Sequence, residues 1–325
     1  MTSTPPRQNR DSEESVVSRV SGNYLVAAFY AFTPLDSQRL EALLTDLPLM
    51  ARRADVVGSI LIAPEGVNGT ISGPDVGVQV MLDRLHADLC LGEEHFERLQ
   101  VKRSRSPKQV FRRFKARRKR EIVTLGEPCA DPRQSVGTYV EPSDWNALVD
   151  DPKTLVIDTR NRYEVAIGSF TGSLDPGTES FRDFPDWVES DLRPLVEQTS
   201  PARIAMFCTG GIRCEKASSF LQQRGFPEVH HLKGGILNYL EQVPEDQSRW
   251  QGECFVFDQR VAVNHQLAPG EHRLCHACGL PLTPAQRQLE SYVRGVQCLH
   301  CQDRFTDADR ARFAMRQRQL DEARG

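Results

Sequence analysis

The chain has 325 residues, of which 39% are hydrophobic and 26% are charged, and its formal net charge is −3. This length predicts two or three domains with ordinary cores, and no apolar run approaches the roughly 20 residues of a membrane span. Nine cysteines without a signal-peptide pattern argue against a disulfide scaffold and favour a reducing cytoplasm.

The first hundred residues divide into a polar tail and an α/β unit. Residues 1–22 are rich in Ser, Pro, Arg and Glu, which predicts a disordered tail. Residues 23–104 show strand and helix patterns in the order βαββαβ, which predicts a ferredoxin-like domain. Within it, Asn68-Gly69 favours a turn or a β-bulge, and we assign it no functional role.

A basic segment follows, which we interpret as a linker over residues 105–135. Between Lys102 and Arg120 lie eleven of the 41 basic residues and no acid, so 30 basic residues remain against all 44 acidic ones. Charge runs are usually solvated, but the apolar anchors Val110, Phe111 and Phe114 favour contact with a nucleic-acid backbone. The residues expected to make that contact are Arg112, Arg113, Lys115, Arg117, Arg118, Lys119 and Arg120.

Residues 136–246 predict a parallel sheet with helices on both faces, and they contain the reactive candidate. The apolar run Arg203–Phe207 predicts a central strand, and the spacing from Arg213 to Arg224 predicts the next helix. Cys208 therefore lies in the strand-to-helix turn, at the sheet edge where such folds bind ligands. We identify it as a candidate nucleophile.

The residues after Cys208 favour an ionised sulfur, because their amides can form an anion-binding nest and Arg213 adds positive charge. Only four residues separate Cys208 from Arg213, one too few for a phosphatase loop, so the loop fits a persulfide-forming rhodanese domain. Cys214 is either a resolving partner or a packing residue. The amides expected in the nest are those of Thr209, Gly210, Gly211 and Ile212.

Other polar or sulfur-containing residues favour structural interpretations. Asp158 and Arg160 are expected to tie a loop together as an ion pair or a cap, and His231 is expected to be a strand residue and not a base. Three cysteines lack partners at useful spacing and are interpreted as core or incidental thiols. These are Cys90, Cys129 and Cys254.

Residues 247–306 predict a zinc-binding module, and residues 307–325 predict a polar helical tail. Two CxxC pairs separated by nineteen residues bring four thiolates to one tetrahedral Zn²⁺. Four cysteines leave no position for water, so the predicted role is structural; a redox dithiol pair is the alternative. The expected ligands are Cys275, Cys278, Cys298 and Cys301.

Several motifs together resemble a known family. The Cys208 loop, with the segments 158–164 before it and 231–235 after it, resembles the rhodanese domain. The wider combination resembles the rhodanese-containing tRNA uridine hydroxylases, from about Tyr24 to Cys301, although Phe114-Lys115-Ala116 is less typical of the family. The motifs are EGVNGTISG from Glu65, the basic run ending in REIVT at Thr124, CTGGIRCEK from Cys208 and GECFVFD from Gly252.

This resemblance implies oxygen-dependent formation of 5-hydroxyuridine at the wobble position, U34, of tRNA, with Cys208 as the active cysteine and molecular oxygen as co-substrate. The residues alone predict neither haem nor flavin, since no matching ligand pattern or GxGxxG motif occurs. Two alternatives stay open. One is a sulfurtransferase that carries a Cys208 persulfide, and the other is a tRNA-binding module with a vestigial thiol.

Overall fold

The structure, a computed structural model, describes residues 23–89, 98–226 and 228–322. The predicted disordered tail at 1–22, Cys90 and the last three residues of the predicted helical tail lie outside the described residues. Among the helices that are described, none is long and apolar enough to cross a membrane.

The N-terminal domain has the predicted βαββαβ order, followed by one more strand. Its elements are β1 (Tyr24–Phe32), α1 (Ser37–Arg53), β2 (Val57–Ala63), β3 (Gly66–Gly73), α2 (Asp75–Asp88), β4 (Gln100–Ser106) and β5 (Phe114–Arg118). The first four strands pair antiparallel in the order β4-β1-β3-β2, and β5 pairs parallel to β2 at the edge. This is the ferredoxin-like arrangement with a fifth strand.

The two faces of this sheet have different partners. In β1, Leu25, Ala27 and Phe29 pack into a core with helices α1 and α2. Val26 and Tyr30 alternate with them and therefore lie on the opposite face. That second face borders a cavity shared with the rest of the chain.

Two predictions for this domain are wrong. Asn68 and Gly69 do not form a turn but lie within β3, paired with β1 and β2. Residues 105–135 are not simply a linker, because β4 extends to Ser106 and β5 joins the sheet. Phe114 and Ala116 pack against the helix-side core while basic residues alternate with them, a period-two pattern that the density of charge obscured.

The central domain is a parallel α/β unit, as predicted. Its elements are β6 (Thr138–Val140), α3 (Pro142–Asp150), β7 (Thr154–Asp158), α4 (Arg162–Val165), β8 (Gly168–Phe170), α5 (Phe184–Trp187), α6 (Arg193–Thr199), β9 (Arg203–Phe207), α7 (Ile212–Gln223), β10 (Val229–Leu232) and α8 (Gly235–Gln242). The sheet order is β6-β10-β9-β7, all parallel. Strand β9 is central and its residues from Ile204 onward are buried, which explains its apolar sequence.

After α8 the chain first completes this domain and then forms a module that contains four cysteines. We call residues 273–305 the cysteine module. The remaining elements are β11 (Trp250–Gly252), β12 (Cys254–Phe255), β13 (Ala262–Val263), β14 (Arg273–Leu274), β15 (Pro281–Leu282) and α9 (Asp307–Glu322). Strand β11 pairs with β8, and Trp250, Val256 and Leu267 share a core cluster with Phe207. The predicted boundary between residues 246 and 247 therefore cuts through one packed unit, because a short strand pair gave no clear signal in the sequence.

Candidate active site

Cys208 follows β9 and begins the active-site loop, which we define as Cys208–Gly211. The amide of Gly211 donates a hydrogen bond to the Cys208 Sγ atom at 3.1 Å. Gly211 has a φ of 98°, a backbone conformation that favours glycine. Helix α7 starts at the next residue, so its N-terminus also faces the thiolate.

These surroundings favour the ionised sulfur of Cys208. Burial raises its pKa, but hydrogen bonds from the Cys214 thiol and amide, the charge of Arg213 and the Arg213 amide lower it more, to about 6. Of the four predicted nest amides, only that of Gly211 has a described bond to the sulfur. The other amides that bond to it are those of Arg213 and Cys214, at the start of α7. Burial and its bond to the Cys208 thiolate raise the pKa of Cys214 well above the usual value, so Cys214 stays a thiol and donates.

Arg213 is held by a carboxylate that we did not single out as a site residue. Its guanidinium makes a bidentate ion pair with Glu164, with N–O distances of 2.7 and 2.8 Å. Both side chains are buried, and the Thr209 hydroxyl lies 3.4 Å from each. Glu164 accepts one hydrogen bond from each terminal nitrogen of Arg213, and the charge of Arg213 acts on Cys208.

Glu215 forms a second buried cluster beside the loop. The hydroxyls of Tyr30 and Tyr139 donate to its two oxygens at 2.9 and 2.7 Å. Burial raises its pKa to about 8, despite the opposing effect of the two tyrosine bonds and with a further rise from the Cys208 charge. Tyr30 belongs to β1, so the N-terminal domain reaches the segment that carries Cys208.

Lys216 makes the third link from the start of α7. Its ammonium lies 2.8 Å from Glu65 and 2.7 Å from Glu121, and the lysine is 2% exposed. Glu65 in turn accepts from the amide of Ile122 at 2.6 Å, and Asn68 donates to the carbonyl of that residue at 2.9 Å. The family-like motifs around Glu65, Glu121 and Lys216 therefore meet in space.

The start of α8 holds the loop from the other side. The amides of Ile236 and Leu237 donate to the carbonyls of Cys208 and Thr209 at 2.9 and 3.0 Å. A Cβ atom on Gly235 would lie 2.4 Å from the Cys208 carbonyl oxygen, so only glycine permits this approach. The loop backbone is consequently fixed before any ligand binds.

Cys208 opens into a cavity of about 650 Å³ between the domains. Only 1% of the cysteine surface is exposed, yet the residue lines the cavity together with Tyr30, Asn68 and Phe257. The volume falls within the ~300–1,000 Å³ of ordinary ligand pockets. Phe257 is 60% exposed and its ring meets Phe255 edge-on at 5.2 Å, which leaves an aromatic surface open.

The structure divides the predicted nucleic-acid-binding residues into groups. Lys115 and Arg117 pair in register with Ser59 and Leu61, which line the cavity, so they share that face of the sheet. The positive charge of Arg113 lowers the pKa of Lys115, which reports the density of charge here. Arg118 lies on the helix side and pairs with Glu41. The remaining members of the set are all exposed: Arg112, Arg113, Lys119 and Arg120. Of these four, Lys119 lines the cavity.

The residues expected to be structural are so. Asp158 and Arg160 form a fully buried ion pair at 2.6 Å, and His231 lies buried in β10 with its ring 3.2 Å from the Gly137 carbonyl. Cys254 is buried, and burial raises its pKa to about 12, which leaves it unreactive. Cys129 is exposed and is incidental, not a core residue.

The four predicted metal ligands come together. The sulfurs of Cys275, Cys278, Cys298 and Cys301 all lie within 4.8 Å of one another, and the closest pairs are 3.7 to 4.0 Å apart. Four sulfurs placed about 2.3 Å from a tetrahedral zinc would be about 3.8 Å apart, so the set fits that ion. The Cys298 amide also donates to the Cys301 sulfur at 3.3 Å.

Comparison with known proteins supports this organisation. A family model described as the UPF0176 acylphosphatase-like domain matches residues 24–122, and the rhodanese-like domain model matches residues 141–242. A tRNA uridine(34) hydroxylase of Parasynechococcus marenigrum (strain WH8102) is 71% identical, over 92% of this chain and 93% of that protein. The chain belongs to the tRNA uridine(34) hydroxylase family. Proteins of the same name from Synechococcus sp. (strain CC9605) and Prochlorococcus marinus (strain MIT 9313) are 72% and 57% identical, each over 92% of this chain and 91% and 94% of the relatives.

Membership in the tRNA uridine(34) hydroxylase family confirms the resemblance that the motifs indicated. Sequence reasoning nevertheless missed Tyr30, Tyr139 and Glu164 as members of the site, and it gave no role to Glu65 or Glu121. The available signal was the presence of Glu65, Glu121 and Glu164 inside the family-like motifs, since carboxylates that become buried or partly buried require partners.

Proposed function

We propose that this protein hydroxylates uridine 34 of tRNA at C5, the reaction for which its relatives are named. The observation that carries the proposal is the Cys208 thiolate, whose pKa lies near 6, opening into a cavity between the domains. With this pKa the Cys208 side chain is mostly ionised at neutral pH, and a thiolate is a soft nucleophile.

The chemistry begins with addition of the Cys208 sulfur to C6 of the uracil ring. The bond that forms pushes the C5–C6 electron pair toward C5 and O4, so that C5 becomes reactive toward molecular oxygen. Incorporation of one oxygen atom and reduction of the other to water consume two electrons from an external reductant. Loss of the C5 proton and departure of the thiolate from C6 then restore the aromatic ring.

Access to the sulfur requires the base to leave the anticodon stack, because Cys208 lies at the bottom of a cavity and not on the surface. The cavity volume accommodates one nucleoside. Exposed Phe257 supplies a ring on which a base can stack, and Lys115, Arg117 and Lys119 supply positive charge for the phosphates on the cavity-facing side of the sheet.

The cysteine module is proposed to hold a structural Zn²⁺ on Cys275, Cys278, Cys298 and Cys301. The supporting observation is that Cys275, Cys298 and Cys301 form the buried cluster of the module with Leu282, and that the partly buried Cys278 packs against it. A bound ion would replace the hydrophobic core that such a short segment lacks. Four thiolates leave no open position, so the ion takes no part in the oxygen chemistry.

Nucleoside mass spectrometry on tRNA incubated with the protein tests the reaction. We expect 5-hydroxyuridine at position 34 in the presence of oxygen and a reductant, and no product without oxygen or with Cys208→Ala. Full activity of Cys208→Ala would eliminate the proposed role of the sulfur. Product formed equally well without oxygen would show that the hydroxyl oxygen has another source.

The rhodanese-like domain favours persulfide transfer as the second candidate function. Transfer of sulfur from thiosulfate to cyanide distinguishes it, because that reaction needs neither tRNA nor oxygen. Robust transfer by this protein, with no hydroxylation of tRNA, would displace the hydroxylase proposal.

A further inference from the structure

One group from the N-terminal domain reaches the wall of the cavity that contains Cys208. Tyr30 lies on the cavity-facing side of β1, is 5% exposed and lines that cavity. Its hydroxyl lies close to the active-site loop, since a Cβ atom on Gly211 would be 3.0 Å from the Tyr30 oxygen. The phenol is therefore next to the loop that carries the thiolate.

Glu215 holds this phenol, and Tyr139 provides an internal comparison. Both tyrosine hydroxyls donate to the same carboxyl group, at 2.9 Å for Tyr30 and 2.7 Å for Tyr139. Tyr139 comes from β6 and is not among the cavity-lining residues, whereas Tyr30 is. Two chemically equivalent hydrogen bonds thus differ in whether the donor also reaches the substrate space.

The protonation state of Glu215 decides whether Tyr30 can donate a hydrogen bond to a ligand in the cavity. A carboxylate at position 215 accepts from both phenols, so neither hydrogen is free. When Glu215 is a carboxylic acid that donates its proton to the Tyr30 oxygen, the direction of the 2.9 Å hydrogen bond is reversed, and Tyr30 can then donate its hydrogen elsewhere. Burial keeps the pKa of Glu215 near 8, so the acid form predominates at neutral pH.

The groups that act on Glu215 come from three elements. The phenols of Tyr30 and Tyr139 belong to β1 and β6, and the Cys208 thiolate belongs to the loop after β9. The ring of His231, from β10, packs against Tyr139 at 4.4 Å between centroids. In this set only the thiolate is a close charge, and it favours the protonated carboxyl.

We propose that Tyr30 is a substrate-binding residue that donates its hydroxyl hydrogen to a carbonyl oxygen of the pyrimidine in the cavity, with Glu215 as the positioning residue behind it. The proposal rests on the proposed function. Addition of sulfur to C6 places negative charge on the exocyclic carbonyl oxygen O4, and a fixed donor at that oxygen stabilises the adduct more than the free base. Both domains therefore contribute a group to the reaction.

The test compares Tyr30→Phe with Tyr139→Phe, each of which removes one hydroxyl and one bond to Glu215. We expect Tyr30→Phe to lower kcat for 5-hydroxyuridine formation on the order of 10²-fold, as for loss of an oxyanion donor, with unchanged tRNA affinity. Tyr139→Phe should lower kcat much less than Tyr30→Phe, because Tyr139 supports Glu215 but does not line the cavity. Equal losses in the two variants would overturn the proposal, because they would show that both tyrosines act only through Glu215.

Two further measurements separate a binding role from a structural one. The pH dependence of Cys208 alkylation should be the same in both variants, and a shifted midpoint in Tyr30→Phe alone would overturn the proposal by placing the effect on the thiolate. Thermal unfolding should show a small loss of stability in both variants, since Tyr30→Phe loses a buried hydrogen bond to Glu215 and Tyr139→Phe a partly buried one. Absence of 5-hydroxyuridine from the unsubstituted protein would instead refute the proposed function, so the two failures are distinguishable.

Discussion

Cys208 owes its acidity mainly to residues that follow it closely in the chain. Gly211, Arg213 and Cys214 supply amides, a positive charge and a thiol hydrogen bond, and all belong to the loop and first turn that the sequence predicted. The partner of Arg213 was not predictable in the same way, because Glu164 lies 49 residues away and reaches it only through the fold. The residues that lower the pKa of Cys208 could therefore be predicted from the sequence, whereas Glu164, the ion-pair partner of Arg213, could not.

Cys214→Ala should raise the pKa of Cys208, because the substitution removes the thiol that donates to the thiolate. Alkylation of Cys208 by iodoacetamide, quantified on its peptide, should rise with pH and reach half its maximal rate near pH 6 in the unsubstituted protein, where thiolate replaces thiol. The variant should reach that point at higher pH.

Cys254→Ala is the matched control for this experiment, since it also removes a buried thiol but one with no described bond to Cys208. Its alkylation profile should resemble that of the unsubstituted protein. An unchanged midpoint in Cys214→Ala would show that the amides and Arg213 suffice.

At the scale of elements, the first turn of α7 distributes its contacts in three directions. A helix advances about 100° per residue, so consecutive side chains face different neighbours. Cys214 faces the sulfur, Glu215 faces the tyrosines and Lys216 faces two carboxylates. The sequence predicted the helix and its start within one residue, but Tyr30 and Glu215 lie 185 residues apart, beyond any local pattern.

Lys216→Ala should destabilise the protein by on the order of 3 kcal/mol, because it leaves two neighbouring, partly buried carboxylates without their cation. Lys233→Ala is the control, since Lys233 makes an exposed ion pair with Glu141 that contributes about 0–1 kcal/mol. Urea unfolding followed by fluorescence measures both values, and equal losses would contradict the buried role of Lys216.

Strand β5 gives the second element-scale prediction. The double variant Lys115→Glu, Arg117→Glu should weaken tRNA binding and reduce its salt dependence, by about 0.7 in logarithmic slope for each single-strand phosphate that the protein no longer neutralises. Arg118→Glu reverses an exposed charge on the same strand that already pairs with Glu41 on the helix side. If Arg118→Glu weakened binding as much as the double variant, the cavity-facing side of β5 would not be the tRNA surface.

For the whole molecule, the alternation of strands and helices predicted two α/β domains and a cysteine module, and that order is observed. The domain limits were less predictable, because β5 and β11 are short strands that join sheets formed by distant segments. The cavity between the domains was not predictable at all, since it depends on how two separately patterned units pack.

Removal of metal should unfold the cysteine module and leave the two sheets intact. Elemental analysis should give about one zinc per chain, and Cys298→Ser should lose it, with faster amide hydrogen exchange over the cysteine module, residues 273–305. Cys129→Ser, which alters an exposed cysteine, is the control. Retention of one zinc by Cys298→Ser would show that the four sulfurs are not its site.

The ion pairs of Lys216 with Glu65 and Glu121 also bear on the order in which the two domains fold during synthesis. Both carboxylates leave the ribosome well before the lysine, and α7 carries the lysine only eight positions beyond the reactive sulfur. When the N-terminal domain folds first, Glu65 and Glu121 are already in place to bind Lys216 once α7 has been synthesised. Docking of α7 then brings Lys216 to both carboxylates and Glu215 to Tyr30 in the same step.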